Sequence, residues 1–218
     1  MHIKQSDNTS AAGIRAVVFD FGGVLFDWSP LHVYRELIPD AQEREHFLTH
    51  ICSPQWNIRQ DEGRSLQEAT AWLVAQHPQH APLIHAFYDR WTEMLRGPLD
   101  DGVALLRSLH ANEVPLFGLT NWSAETFPYA LANYDFLQIF RDIVVSGAEK
   151  CIKPDQVIYQ IALSRYGKHL PNLQAEELVF IDDLANNVEA ARRLGWHAIH
   201  HLDCADTVRQ LRALGVPA

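Results

Sequence analysis

The sequence predicts an α/β fold: a doubly wound parallel sheet with a helical segment inserted after its first strand. Residues 16–19 are small, β-branched or aromatic, as in a central strand that is buried on both faces. Apolar runs of the same character recur at 114–120, 142–147, 178–182 and 196–201. Between them lie segments with helical spacing of apolar residues, at 101–113, 124–136, 155–167 and 186–195. Strands that alternate with helices of this length form right-handed βαβ units and one parallel sheet.

The first βαβ unit is interrupted by a long insert. Amphipathic helical patterns occur within it at 31–38, 65–77 and 82–95, and no convincing strand is visible. A structureless loop of this length is improbable inside a compact domain. The sequence therefore predicts a core made of 14–27 and 98–218, a helical cap at 28–97 and a flexible tail at 1–13.

Composition narrows the class of protein. The chain has 218 residues, of which 47% are hydrophobic and 21% charged, as in an ordinary globular protein. A formal charge of −9 without a run of Lys or Arg argues against nucleic-acid binding, and no apolar stretch reaches the roughly 18 residues of a membrane span. The polar first residues lack the apolar centre of a secretory signal. Cys52, Cys151 and Cys204 form no CxxC pair, so we expect free thiols and a cytoplasmic location.

Asp20 directly follows the first predicted strand and is followed by Gly22 and Gly23. Open parallel sheets bind their ligands beyond the carboxyl ends of the strands. Glycine permits a tight turn there and a close approach of the backbone to a ligand. Taken alone, Asp20 is equally consistent with a residue that caps a turn.

Polar residues also follow the later strands. Thr120 ends the second strand, Asp182 and Asp183 end the fourth, and Lys153 lies in the loop after the third. Three carboxylates in one crevice repel each other unless a cation holds them, and Mg²⁺ prefers oxygen ligands. Such a site can receive a phosphate, because Mg²⁺ and Lys153 neutralise its oxygens while Thr120 and backbone N–H groups donate hydrogen bonds.

The segments VVFDFGGV, FGLTN, KCIKPD and VFIDD occur in this order across nearly the whole chain. In this the chain resembles the haloacid dehalogenase (HAD) superfamily, in the branch that has a helical cap after the first strand. The resemblance implies a Rossmann-like core. It also implies that Asp20 is the nucleophile and forms an aspartyl-phosphate, while Thr120 and Lys153 hold the phosphoryl group.

The same resemblance implies the metal site. Asp20, Asp183 and the backbone carbonyl of Gly22 would bind Mg²⁺, and Asp182 would reach it directly or through water. For each residue taken alone an alternative remains open, since Asp182 and Asp183 could cap a helix N-terminus and Lys153 could be a solvent-exposed loop residue.

Further residues are candidates for supporting roles. Asn187 stands where relatives often have a polar residue that fixes the metal site or the lysine; a hydrogen bond at a helix N-terminus is the alternative. The candidates for contact with the substrate are Asn121, Gly22, and the cap residues Trp56, Asn57 and Asp61, for which cap packing or a turn is the alternative.

Gly22 departs from the pattern of most phosphatases in the superfamily, which carry a second aspartate at this position. That aspartate protonates the leaving alcohol and later activates water. The chain resembles a branch with FDxGxV here, some members of which hydrolyse sugar 1-phosphates. An anomeric phosphate departs more easily than an alkyl phosphate, and water, the substrate or a group such as Asp27 would replace the missing acid.

Two alternatives stay open. In a 2-haloacid dehalogenase Asp20 attacks carbon, but these enzymes usually have tyrosine at the position of Gly22 and need no acidic pair, so Asp182 and Asp183 favour phosphate. A degenerate member would bind a phosphorylated metabolite without turnover. The sequence thus predicts a Mg²⁺-dependent hydrolase of small phosphomonoesters, of the sugar phosphate class, whose partner is a small phosphorylated metabolite.

Overall fold

The strands form one main sheet and one short ribbon. A computed structural model describes residues 13–218; the predicted tail, 1–13, lies outside this range except for Gly13. In chain order the strands are β1 (Ala16–Phe19), β2 (Phe26–Trp28), β3 (Leu95–Pro98), β4 (Leu116–Thr120), β5 (Asp142–Val145), β6 (Leu178–Asp182) and β7 (His197–His200). The main sheet is parallel, with the order β5-β4-β1-β6-β7. The predicted doubly wound α/β fold is confirmed.

Helices cover the sheet and build the inserted segment. They are α1 (Leu31–Leu37), α2 (Ala41–His46), α3 (Pro54–Asp61), α4 (Leu66–Gln76), α5 (Ala81–Asp89), α6 (Trp91–Met94), α7 (Asp100–Ala111), α8 (Phe127–Asn133), α9 (Ser146–Glu149), α10 (Gln156–Tyr166), α11 (Ala185–Arg193) and α12 (Cys204–Ala213). A π-helical turn, Phe47–Ile51, extends α2. Across the described part of the chain, none of these helices combines the length and apolar character that crossing a membrane requires.

Strand β1 lies at the centre of the core. Val17 and Phe19 pack into one hydrophobic cluster and Ala16 and Val18 into the other, so neither face of the strand meets solvent. Burial of each Val or Phe side chain is worth about 1.5–3 kcal/mol relative to exposure. A continuous apolar run, rather than an alternating one, is the sequence pattern that this environment requires.

The inserted helices α1 to α6 have a core of their own, which includes Tyr34, Trp56 and Phe87. At the base of this segment β2 pairs antiparallel with β3. The sequence-based expectation of no strand in the insert is wrong for β3, because a four-residue strand is too short to show alternation and pairs with a partner distant in sequence. We keep 28–97 as the proposed cap.

Two other elements differ from the prediction. The strand predicted at 142–147 ends at Val145, because Ser146 begins α9. A Cβ added at Gly147 would lie 2.5 Å from the backbone nitrogen of Ala124, so α9 packs closely against the loop after β4. The C-terminal helix α12, whose N-cap Asp203 accepts a hydrogen bond from the Asp206 N–H, was not identified from the sequence.

The strand order places a crevice beyond the end of β1. The chain runs outward on one side through β4 and β5, and on the other through β6 and β7. Ligands bind at this kind of switch point, outside the carboxyl ends of the strands. Asp20 follows β1, Thr120 ends β4 and Asp182 ends β6, so their backbones meet at this edge.

Candidate active site

Asp20 is held at the mouth of the crevice by its own backbone. Its N–H donates to the carbonyl of Ile181 at 2.8 Å, which continues the pairing of β1 with β6 past the end of the strand. Its Oδ1 accepts the N–H of Phe21 at 2.6 Å. The side chain keeps a small exposed fraction, because the residue is 7% accessible. The carboxylate is therefore oriented and still reachable by a ligand.

Lys153 joins three strand ends. Its ammonium donates to Asp182 Oδ2 at 2.7 Å and to the carbonyl of Leu119 at 3.0 Å, and it forms an ion pair with Asp20 Oδ1 at 2.8 Å. The residue is only 1% exposed. A lysine buried this deeply requires charged partners, and here two carboxylates and one carbonyl surround it. The alternative of a solvated loop lysine is excluded by this burial.

Burial and the neighbouring charges shift the pKa values of the residues in this cluster. Burial raises the pKa of Asp20 to about 8 against the opposing charge of Lys153, and the Asp182 carboxylate adds to the rise. Burial alone would lower the pKa of Lys153, but the two carboxylates outweigh it and the net shift is upward. Burial and the neighbouring Asp182 also raise the pKa of Asp183. Extra positive charge at this site would therefore stabilise the ionised carboxylates.

Asp182 is fixed on both oxygens. Oδ1 accepts the N–H of Leu184 at 2.8 Å, and Oδ2 accepts Lys153. The Nδ2 of Asn187 donates to each of these oxygens at 3.1 Å, so Asn187 orients the carboxylate. Asp183 keeps a partly exposed side chain beside it.

The residues present fit a hard divalent cation. Asp20, Asp182 and Asp183 each offer an oxygen, and these oxygens lie within 4.8 Å of one another. The turn that faces them has room only for glycine at Gly23, where φ is +68° and a Cβ would lie 2.4 Å from Asp183 Oδ2. Gly22 is different, since it lies outside the left-handed region and a Cβ there would have no atom within 4 Å.

The end of β4 supports the cluster from the other side. Thr120 is buried beside the crevice. Gly118 leaves room for Phe21, since a Cβ at Gly118 would lie 2.7 Å from the Phe21 ring. Asn121 bonds the backbone of Lys153 through its side-chain amide.

A cleft with a volume of about 90 Å³ lies between this site and the inserted helices. It contains four of the predicted substrate-contact residues, Gly22, Asn57, Asp61 and Asn121, and also Ser123 and Thr126. Sequence reasoning missed its aromatic lining, which consists of Trp28, Tyr88, Trp91 and Trp122. Only Trp122, directly after Asn121, had a position along the chain that pointed to the site.

Trp56 does not line this cleft, so the prediction that it contacts a substrate there is wrong. It is buried within the hydrophobic core of the inserted helices, against the rings of Phe87 and Tyr88. Its Nε1 donates to the carbonyl of Ala69 at 3.2 Å. On a helix, neighbouring residues face different directions, so Asn57 reaches the cleft while Trp56 faces the cap core.

The fold and the crevice define the class of the protein, an α/β protein with an acidic site at the carboxyl ends of its parallel strands. The sequence model of haloacid dehalogenase-like hydrolases matches residues 14–195, and the chain belongs to this family. The superfamily resemblance is thereby confirmed. Among curated proteins, the sesquiterpene phosphatase AstK of Aspergillus oryzae is 28% identical over 200 residues, which cover 92% of this chain and 96% of the relative.

Solved structures show the same fold. A HAD-like family hydrolase of Porphyromonas gingivalis matches with a TM-score of 0.68 at 22% identity, over 92% of this chain and 98% of its own. A HAD family enzyme of Bacteroides thetaiotaomicron, in complex with magnesium and inorganic phosphate, matches with a TM-score of 0.63 at 19% identity, over 86% of this chain and 93% of its own.

Proposed function

We propose that this hydrolase is a Mg²⁺-dependent phosphatase that cleaves small phosphomonoesters through an aspartyl-phosphate on Asp20. The observation that carries the proposal is the buried lysine that bridges Asp20 and Asp182 within a cluster of three carboxylates. A curated relative named as a phosphatase and a structural neighbour that holds magnesium and phosphate support it. We also keep a cytoplasmic location, where the free thiols would stay reduced.

The metal ligands proposed are the carboxylates of Asp20 and Asp183 and the backbone carbonyl of Gly22, with Asp182 completing the acidic set. Because both Asp182 oxygens already accept protein hydrogen bonds, its main role would be to hold Lys153 and shape the site. When bound, Mg²⁺ would neutralise phosphate oxygens and keep the carboxylates ionised.

The other steps of the reaction are assigned to side chains of the protein. Asp20 Oδ1 is occupied by the Phe21 N–H and Lys153, so we assign the attack on phosphorus to Oδ2. The charge of Lys153 opposes the rise that burial causes in the pKa of the nucleophile, and it faces the incoming negative charge. The Thr120 hydroxyl would donate to a phosphoryl oxygen. The leaving alcohol then departs, and water hydrolyses the acyl phosphate.

Sugar phosphates, including sugar 1-phosphates, are one candidate substrate class from the sequence. The cleft favours a second candidate, the phosphate of an apolar or aromatic alcohol. Its walls carry three tryptophans and a tyrosine. Two of its polar groups bond these aromatic side chains, since Asn57 Oδ1 accepts the Tyr88 hydroxyl at 3.0 Å and Thr126 Oγ1 accepts Trp122 Nε1 at 3.0 Å. The relative named as a sesquiterpene phosphatase agrees with an apolar leaving group.

The test is phosphate release from p-nitrophenyl phosphate, glucose 1-phosphate and farnesyl phosphate, with Mg²⁺ or with EDTA. We expect Mg²⁺-dependent release that is lost in Asp20→Asn. Preference for farnesyl phosphate would select the apolar class, and preference for glucose 1-phosphate the sugar class. Metal-independent halide release from 2-chloropropionate, without phosphate release, would overturn the proposal in favour of a dehalogenase.

A further inference from the structure

The proposed phosphatase lacks an acid at Gly22, the position from which relatives protonate the leaving group. A glycine cannot transfer a proton, yet departure of an alkoxide from an alkyl phosphate needs one. We infer that Asp61, at the end of cap helix α3, is the general acid and base of the reaction. This inference rests on the proposed function and identifies the group that takes over the missing role.

Asp61 is docked on the core rather than held only by the cap. It lines the same cleft as Gly22 and Asn121. The backbone N–H of Ser123, in the loop that follows β4, lowers the pKa of its carboxyl group. Its own carbonyl accepts the hydroxyl of Ser146, the first residue of α9. Two core elements thus place this cap residue at the crevice.

The surroundings of Asp61 suit proton transfer in both directions. Burial raises its pKa to about 7, and the Ser123 N–H limits the rise. At neutral pH both the protonated and the ionised form are populated, which favours a group that gives a proton in one step and takes one in the next. Its partly exposed surface leaves it reachable from the cleft.

The other charged and titratable groups near Asp61 have partners of their own or are not carboxyl groups. Tyr88 of α5 lines the cleft beside Asp61 and bonds Asn57. Glu62 pairs with Arg59 at 2.6 Å. From the core, Glu125 accepts the N–H of Leu66 at 2.8 Å, and the Lys150 side chain packs beside Gly63.

Asp27, considered from the sequence as a substitute acid, has another partner. Its Oδ1 lies 2.9 Å from His32 Nε2, and it belongs to β2. Asp61 is the carboxyl group that lines the cleft alongside Gly22.

One carboxyl group, that of Asp61, donates the proton in the first step and accepts one in the second. In the first step Asp20 forms a bond to phosphorus, the P–O ester bond breaks, and the Asp61 proton passes to the departing oxygen. In the second step the Asp61 carboxylate takes a proton from water as the water oxygen attacks phosphorus. The acyl phosphate bond then breaks, which releases inorganic phosphate and restores both carboxyl groups to their initial states.

The experiment compares two leaving groups in Asp61→Asn. p-Nitrophenol leaves readily without a proton, whereas the alcohol of benzyl phosphate needs one. We expect Asp61→Asn to lower the single-turnover rate of alcohol release from benzyl phosphate about 10²- to 10⁴-fold. The rate of p-nitrophenol release from p-nitrophenyl phosphate should fall far less. Single-turnover kinetics isolates that step, because water attack on the acyl phosphate also uses Asp61. Glu62→Gln is the matched control and should leave both substrates unaffected.

A pH profile and a rescue separate an acid from a structural residue. An acid must be protonated, so wild-type single-turnover rates on benzyl phosphate should fall as pH rises through the pKa of Asp61, and Asp61→Asn should lack this alkaline limb. Adding Gly22→Asp to Asp61→Asn should restore activity on benzyl phosphate, since a side chain at Gly22 meets open space.

The outcomes distinguish the two proposals. No Mg²⁺-dependent phosphate release by the wild type would overturn the proposed function itself. An active wild type whose Asp61→Asn variant loses equal activity on both substrates in single turnover, or keeps the alkaline limb, would overturn the role of Asp61 alone. A melting temperature for the variant within a few degrees of the wild type shows that the comparison concerns chemistry rather than folding.

Discussion

The side-chain amide of Asn121 is hydrogen-bonded to the main chain of Lys153 in both directions. Its Nδ2 donates to the Lys153 carbonyl at 3.0 Å, and its Oδ1 accepts the Lys153 N–H at 2.8 Å. The residue that follows β4 therefore holds the backbone of the loop that precedes α10. With the backbone held, the Lys153 ammonium meets Asp20 at 2.8 Å and Asp182 at 2.7 Å.

Asn121→Ala should weaken both the fold and turnover. It removes two partly buried hydrogen bonds, each worth about 0.5–1.5 kcal/mol, and frees the backbone that positions Lys153. We expect a loss of about 1–3 kcal/mol in the free energy of unfolding in urea and a fall in kcat of at least about tenfold. Asn112→Ala is the control, because Asn112 makes a similar but exposed bond to Ser108. Unchanged kcat would show that Lys153 is positioned without Asn121.

Asp20→Asn should abolish turnover while the fold persists. The amide is nearly isosteric but is not a nucleophile towards phosphorus. The measurement is Mg²⁺-dependent phosphate release, with far-ultraviolet circular dichroism as the folding check. Asp135→Asn, at a side chain that is 90% exposed, is the control for loss of one negative charge. Activity that survives in Asp20→Asn would rule out the covalent mechanism.

Gly22 and Gly23 should respond differently to alanine in a metal-binding assay that does not depend on activity. Mg²⁺ should raise the melting temperature of the wild type, because binding to the folded state alone stabilises it. Gly23→Ala should lose most of this shift, since its Cβ would lie 2.4 Å from Asp183 Oδ2 at a φ of +68°. Gly22→Ala should keep it, because its Cβ meets open space. Equal behaviour of the two variants would contradict the placement of Asp183 in the metal site.

Asp142 should make stability depend on pH in the acid range. Burial raises its pKa, but the hydrogen bonds and charge of Arg165 outweigh this and leave the pKa lowered. A carboxyl group whose pKa is lowered by folding stabilises the protein above its unfolded pKa of about 3.9, and this contribution disappears as pH falls through the folded value. Asp142→Asn should therefore be less stable than wild type at pH 7, with the difference vanishing in acid. A difference independent of pH in urea titrations would exclude this ion pair as its source.

Local sequence patterns were sufficient for the core strands. Residues 178–182 were predicted as a strand and form β6 with the same bounds, because a strand buried on both faces needs an unbroken apolar run. The short strand β3 and helix α12 were not predicted from the sequence. A strand of four residues depends on its partner, here β2, more than on its own composition.

In the cap, the sequence predicts the helices but not which side chains face the cleft. Trp56 and Asn57 are adjacent and both were candidates for the substrate entrance, but helix geometry turns Trp56 into the cap core and Asn57 to the cleft. Trp28, Trp91 and Trp122 come from distant parts of the chain to form one aromatic wall. Their common surface exists only after the insert packs on the sheet.

Local periodicity and the geometry of parallel sheets were enough to predict the parallel sheet, its helical insert, the placement of Asp20, Thr120 and Asp182 at strand ends, and that of Lys153 in a later loop. The pairing of Lys153 with two carboxylates and the docking of Asp61 against Ser146 arise only in the folded chain. Those contacts join residues far apart in the chain, and their burial sets the pKa values on which the proposed chemistry depends.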